Sequence, residues 1–480
     1  MGCMQPTHSQ SGKTICGKTK RSSGLELLKS NYKISPQSKI LGAGSFGKVF
    51  LSESILDPNF KVAVKVVNKH KLRDAIDQIK EEITILSKLD HPNIVKYYET
   101  YDDPKYMYIV MEYCNGGELL DKLAFQGKKF FTESEAASII QKLFRAINHC
   151  HSNGVIHRDI KPENIMYGRD GEVKLIDFGL SKSIKNRHCS LKTMAGTPYY
   201  MAPEMINGNY GPQCDVWSLG VLMYFLLSGR LPFKADTRAA VFSLVKSGQF
   251  SFNFREFDKV SQEAKSLIRK LLVVDPAKRL TPEQILQDEF FQRHQYIEHG
   301  SEADQLDPQI LRRLREFKGV STLKKAALNI LVKMTADSQD IEVLRRAFSR
   351  MDKDQTGHIT VSDLRTALQM AKIDHQQEEI DRIIREVEYH GQNKINYSEF
   401  LAATVSIKKI ITNERLVAVF KQFDTEGNGY ITPVNIESAM GKLGQKVSKK
   451  DLKEIMQKHD HSGSGSISFD SFRKIFEEAQ

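Results

Sequence analysis

Three polar side chains on one short stretch carry the strongest chemical signal in this sequence. In Ile156-His-Arg-Asp-Ile-Lys-Pro-Glu-Asn164, a carboxylate (Asp159), an ammonium (Lys161) and a carboxamide (Asn164) follow one another at fixed spacing. Such a set can orient a hydroxyl, steady a transferring phosphoryl group and bind Mg²⁺. Asp177 in Asp177-Phe-Gly179 follows the strand-like run Val173 to Ile176 and adds a carboxylate at a second metal position. A chance loop explains one such motif better than two in this order.

Upstream, Leu41, Gly42, Ala43, Gly44, Ser45, Phe46, Gly47, Lys48 and Val49 form a glycine-rich run. Glycines let a backbone turn sharply and approach phosphate oxygens without Cβ clashes. The same spacing marks dinucleotide folds, but there a helix follows at once. Here Lys48 to Ser52 continues as a strand, which predicts a hairpin lying over ATP. Lys65 sits inside the β-branched run Val62-Ala-Val-Lys-Val66, where a lysine is ordinarily a solvated face residue. Placed after such a hairpin it can reach the α- and β-phosphates if an acid holds it. Glu82 on the following helix is the expected partner, since Glu81 points about 100° away.

With these motifs in order, Tyr32 to Phe291 resembles a eukaryotic protein kinase domain, and Ala202-Pro-Glu204, Asp215-Val-Trp-Ser-Leu-Gly220 and Arg279 fit that family. The resemblance implies catalytic roles for Lys65, Glu82, Asp159, Lys161, Asn164 and Asp177, and an Arg279–Glu204 pair. It also implies a gatekeeper at Met111 and an adenine-binding hinge at Glu112 to Cys114. Lys161, two residues after Asp159, resembles the Ser/Thr branch. Glu163 and Glu118 resemble acids that recognise basic residues upstream of the acceptor, although a solvated Glu118 is the plain alternative. Thr193 aligns with an activation-loop phosphosite whose phosphate would pair with Arg158; the same threonine can equally stay unmodified.

The elements needed to position these residues are legible in outline. The 480 residues exceed one hydrophobic core. Residues 1–31 read as a flexible arm, Tyr32 to Thr100 as strands with one helix near Arg73 to Leu89, and Leu119 to Phe291 as mainly helical. The expected fold is an α+β two-lobed kinase at 32–291, a junction at 292–340, and an all-α unit at 341–480. No run of 18 apolar residues occurs, and the six cysteines show no paired spacing, as in a reduced cytoplasmic protein. The net charge of +11 is not gathered into an aromatic-studded basic patch, so no nucleic-acid partner is expected.

The last 140 residues carry a repeat. Loops beginning at Asp352, Glu388, Asp424 and Asp460 recur every 36 residues, each with isoleucine at its eighth position: Ile359, Ile395, Ile431 and Ile467. These units resemble EF-hands. The whole chain resembles the calcium-dependent protein kinases of plants and protists, with Leu306-Asp-Pro and Leu323-Lys-Lys-Ala-Ala327 matching their junction. The resemblance implies ATP, Mg²⁺ and Ca²⁺ as cofactors. It also implies a kinase inhibited by its junction segment and relieved when calcium lets the calmodulin-like unit capture that segment. An apolar helix with basic flanks suits an opened EF-hand groove.

Ligand chemistry tempers this. EF-hands place oxygen ligands at positions 1, 3, 5, 7 and 9 and a bidentate Glu at 12. Loop one has Asp352, Asp354, Thr356, the His358 carbonyl and Thr360, and ends in the shorter Asp363. Loop two has Glu388, His390, Gln392 and Asn393 against the pattern, and is expected not to bind metal although Glu399 is correct. Loop three has Glu426 and Asn435 at positions 3 and 12; loop four offers Asp460, Ser462 and Ser464 but ends in Ser471. From Ile341 to Gln480, 21 acidic residues balance 21 basic ones, whereas a strong calcium module carries net negative charge. At the N-terminus, Gly2 and Cys3 resemble an acylation site that would touch a membrane surface, with Pro6 where Ser or Thr is usual. An unmodified tail is the alternative.

Overall fold

The computed structural model describes residues 23–35, 37–44, 47–72, 76–168, 171–178, 182–183, 198–208, 210–298, 307–317, 320–334, 339–373, 376–388, 393–442 and 447–477. Ser45, Phe46, Thr193, Gly2 and Cys3 lie outside them. Among the described residues no helix is long and apolar enough to cross a membrane.

Helix α1 (Gly24–Asn31) lies within the stretch read as a flexible arm, and strand β1 (Tyr32–Lys33) follows it. A capping box between Ser23 and Glu26 starts α1, and Leu28 is fully buried against the sheet behind it. The glycine-rich run forms the hairpin of β2 (Ile40–Gly44) and β3 (Gly47–Ser54), with Gly44 opposite Gly47. β4 (Lys61–Asn68), β5 (Tyr97–Asp102) and β6 (Tyr106–Glu112) complete an antiparallel sheet in the order β1-β3-β4-β6-β5, with β2 on β3. Helix α2 (Ile76–Leu86) lies on one face, where Ile79 packs with Val67, Met107 and Ile109.

The period-2 alternation of β4 and β6 sends Val62, Val64, Tyr108 and Val110 to the opposite face. All four are buried in a core shared with the C-terminal helices, so the sheet is covered on both sides.

The second lobe is helical. After the short helix α3 (Asp121–Phe125), a Thr132–Glu135 capping box opens the 20-residue α4 (Glu133–Ser152). It packs against Gln213–Ser228, whose residues are buried almost all round and which stops at Gly229 in the left-handed region (φ 67°). The short strands β7 (Val155–Ile156), β8 (Ile165–Tyr167) and β9 (Val173–Leu175) frame the cleft between the lobes.

Beyond residue 306, Asp307 caps helix Pro308–Glu316 as its sequence predicts. Helix Thr322–Met334 follows, then four helix–loop–helix units. The repeated isoleucines meet in pairs: Ile359 faces Ile395, and Ile431 faces Ile467, across two short antiparallel ladders. Helix Thr322–Met334 is enclosed by this unit. Leu323, Leu328, Leu331 and Val332 are fully buried, each contributing about 1.5–3 kcal/mol of apolar burial. Even Lys324 is buried, its Nζ donating to the Ile475 carbonyl at 2.6 Å.

Candidate active site

Strand pairing delivers Lys65 to the cleft face. Lys65 lies opposite Ile109 on β6, and its Nζ is 2.7 Å from Glu82 Oε1 on α2 and 3.9 Å from Asp177 Oδ1. Against the opposing effect of burial, the Glu82 and Asp177 carboxylates hold the ammonium above its ordinary pKa. Leu41, Gly42, Ala43 and Gly44 on β2 and Gly47, Lys48 and Val49 on β3 roof this point. A Cβ at Gly42 would meet open space, as a phosphate-facing position requires. Gly47 is constrained for another reason: a Cβ there would overlap the Val66 carbonyl of β4.

The Asp159 loop is built from both ends. Asp159 Oδ2 accepts from Lys161 Nζ (2.7 Å) and Asn164 Nδ2 (2.8 Å), and the same amide reaches the Asp159 carbonyl at 2.7 Å. Upstream, buried Asp215 accepts from the backbone N–H of His157 (2.9 Å) and of Arg158 (2.8 Å), and lies 2.9 Å from His151 Nε2. Arg158 is thereby held at φ 71°, a left-handed conformation costly for a side chain of this size. Burial alone would raise the Asp215 pKa, but His151 and these backbone donors hold it below the usual carboxylate range. His157 is fully buried with its ring edge-on to Phe178 at 4.7 Å, which fixes the start of the Asp177 segment.

Asp215 begins a stretch that already fits the kinase family, but its hold on the Asp159 loop and its His151 partner are not written in that motif. A buried Asp in Asp215-Val-Trp within an otherwise apolar helix was the available signal. Arg158 reaches the Tyr210 hydroxyl at 2.7 Å. Its expected phosphothreonine partner, Thr193, lies outside the described residues.

Glu204 and Arg279 meet in two contacts, at 2.7 and 3.2 Å, with the guanidinium side chain fully buried. Truncating Glu204 would strand that cation, and Glu204→Ala is expected to cost about 3–5 kcal/mol in urea unfolding.

At the back of the cleft, Met111 and Glu112 end β6 and Cys114 is buried just beyond. Glu112 pairs with Lys174 on β9 at 2.8 Å. Glu118 and Glu163 are both exposed; the Glu118 backbone is tied to Asp121 at 3.0 Å.

In loop one, Asp352 accepts from the N–H groups of Thr356 (3.0 Å) and Gly357 (2.8 Å), and Asp354 from the Thr356 hydroxyl (2.9 Å). Burial, then the neighbouring Asp354, push the Asp352 pKa up to about 8. A buried carboxylate beside half-buried oxygen donors fits a hard cation such as Ca²⁺. Asp363, however, accepts from the Thr360 hydroxyl (2.6 Å) and N–H (2.9 Å) as a helix capping box. Among the described residues no three His, Cys, Asp or Glu side chains converge on one point.

In loop three, Asn435 bridges Thr432 and Thr425, while loop four is knit by Asp460, Ser462, Ser464 and Ser466. Loop two ties Glu388 to the Asn393 N–H at 2.7 Å and Glu399 to that of Asn396 at 2.7 Å.

Residues 36–291 match the protein kinase domain family, and 341–405 and 413–477 each match the EF-hand domain pair. Calcium-dependent protein kinase 34 of Arabidopsis thaliana is 35% identical over 93% of this chain and 84% of its own length. Calcium-dependent protein kinase 7 of Oryza sativa subsp. japonica is 37% identical over 90% and 79%, and calcium-dependent protein kinase 3 of Plasmodium berghei 33% over 90% and 78%. A two-lobed cleft with the Lys65–Glu82 pair, followed by two EF-hand pairs and relatives of this length, leaves one assignment: the chain belongs to the calcium-dependent protein kinase family and is a protein kinase.

Proposed function

We propose that the chain moves the γ-phosphate of ATP to Ser or Thr hydroxyls of proteins, under calcium control. The observation that carries this is the convergence of Lys65, Glu82 and Asp177 beside the Asp159–Lys161–Asn164 cluster. Residues 32–291 form the catalytic unit, 292–340 the junction and 341–480 the calcium unit. Glu82 holds Lys65 toward the ATP phosphates, while Met111 to Cys114 line the adenine pocket. With Asp159 Oδ2 engaged by Lys161 and Asn164, Oδ1 receives the proton of the acceptor hydroxyl as that oxygen bonds to the γ-phosphorus and the bond from phosphorus to the β,γ-bridging oxygen breaks, ADP leaving with that oxygen. Lys161 neutralises charge on the transferring group. Asn164 and Asp177 would hold Mg²⁺, which supplies charge neutralisation to the phosphates.

Glu118 and Glu163, exposed on the C-lobe, favour substrates with basic residues upstream of the acceptor. The chain works in the cytoplasm, with Gly2 and Cys3 as candidate acyl anchors. Control rests on loop one as the best calcium site and on enclosure of helix Thr322–Met334 by the EF-hand helices, which supports junction capture. The hydrogen-bonded side chains of loops three and four favour a second reading in which that half is a calcium-insensitive clamp.

Phosphate transfer to a basic peptide in EGTA and in calcium tests both readings. The first expects clear stimulation by calcium; equal rates would leave only the second, and no transfer in either buffer would end both.

A further inference from the structure

Loop two, expected to bind no metal, makes a different contact. Ser398, its eleventh residue, is 3% exposed and meets the kinase unit. Its backbone N–H donates to Asp90 Oδ2 at 2.8 Å and its hydroxyl to Asp90 Oδ1 at 2.8 Å. The same hydroxyl oxygen accepts from Lys96 Nζ at 2.8 Å. A serine side chain is a donor and an acceptor at once, which this position between an acid and a base uses in full. Burial opposes ionisation, but the Lys96 charge, the Ser398 donors and the Lys333 charge together hold the Asp90 carboxyl below its ordinary range.

The contact continues inward. The Lys96 N–H donates to Glu112 Oε2 at 3.1 Å, and the Lys96 carbonyl accepts the Glu112 N–H at 2.9 Å. Glu112 Oε1 then pairs with Lys174 Nζ at 2.8 Å. Glu112 belongs to the hinge, and Lys174 lies on β9, which ends two residues before Asp177. From the enclosing side, Lys333 of helix Thr322–Met334 lies within electrostatic range of Asp90 and Lys96. An unbroken chain of hydrogen bonds and one ion pair thus runs from loop two to the nucleotide site.

We propose that Ser398 is a positioning residue for ATP binding: seated between Asp90 and Lys96, it sets the Lys96 backbone against Glu112 and so fixes the hinge. Loop two acts as a plug that docks the EF-hand unit. This extends the kinase reading and rests on it. Ser398→Ala removes only the hydroxyl and leaves the Lys96 ammonium one acceptor short, whereas Ser398→Thr keeps both hydrogen bonds.

The test uses the full chain at saturating calcium. Ser398→Ala is expected to raise KM for ATP about 5-fold with KM for the peptide unchanged, and Ser398→Thr to stay within about 2-fold of the parent. Lys96→Met should raise KM for ATP as well. The double variant Ser398→Ala/Lys96→Met should then be no worse than Lys96→Met alone. Thermal unfolding of each variant excludes loss of fold as the cause. A fluorescent ADP analogue, titrated without turnover, reads the same change and separates this inference from the kinase reading if the parent transfers no phosphate. Unchanged nucleotide affinity in Ser398→Ala, a parallel rise in peptide KM, or full additivity would overturn the proposal.

Discussion

Asp159→Asn is expected to lower kcat for peptide phosphorylation by about 10²–10⁴-fold while leaving the unfolding temperature and ATP affinity near the parent values. The substitution is nearly isosteric, and its amide oxygen can still accept from Lys161 Nζ and Asn164 Nδ2, now at 2.7 and 2.8 Å from Asp159 Oδ2. The loop around it is held independently. Asp215 fixes the backbone of His157 and Arg158, and Asn164 reaches the residue 159 carbonyl. What an amide cannot do is take a proton from the attacking hydroxyl as the new O–P bond forms. The loss should therefore fall on kcat rather than on KM for ATP. Radiolabelled phosphate transfer with a melting curve checks this. A variant retaining a tenth of the parent rate would remove Asp159 from the role of base.

Local signals were the readable ones. Lys65 stands out because it interrupts a β-branched run after a glycine hairpin, and the phosphoryl-transfer template assigns it an acid on the following helix, for which Glu82 is the expected partner. The capping boxes and the Asp307-Pro308 helix start depend on residues three or fewer apart, so they too were visible. The Thr360–Asp363 box is equally local and joins positions 9 and 12 of loop one.

Contacts between distant segments were not readable. Ser398 meets residues some 300 positions earlier, and no periodicity encodes that pairing. One trace existed: Val62 to Val67 lacks the polar alternation of a half-solvated strand, a pattern that belongs to sheets covered on both faces. It announced a cover without saying which segment supplied it.

Loop one joins both kinds of information, and Asp352→Asn should consequently move calcium activation to about 10-fold higher calcium or more. The loop is seated on α4: the Gln355 carbonyl accepts from Asn148 Nδ2 at 3.1 Å, and Arg145 Nε donates to Gln355 Oε1 at 2.8 Å. The Thr356 carbonyl lies 2.9 Å from His149 Nδ1, and the His149 and His358 rings are 4.9 Å apart. A Cβ at Gly357 would collide with His149, so the glycine serves the docking as well as its φ of 80°. A change of loop shape on binding a cation is thus delivered directly to the kinase unit.

Asp352 is the donor that burial most disfavours as an isolated charge, and a divalent ion offsets that cost. An amide there can still accept one N–H within the loop but brings no negative charge. Because ligand charge tunes EF-hand affinity over decades, half-maximal activation by Asp352→Asn should need about 10-fold more calcium or more. Asp460→Asn, in an exposed loop whose one carboxylate at a ligand position is held by its own serines, should shift the curve far less. A calcium titration of peptide phosphorylation compares the two variants. If Asp460→Asn moved the midpoint as far as Asp352→Asn, loop four rather than loop one would hold the ion that matters.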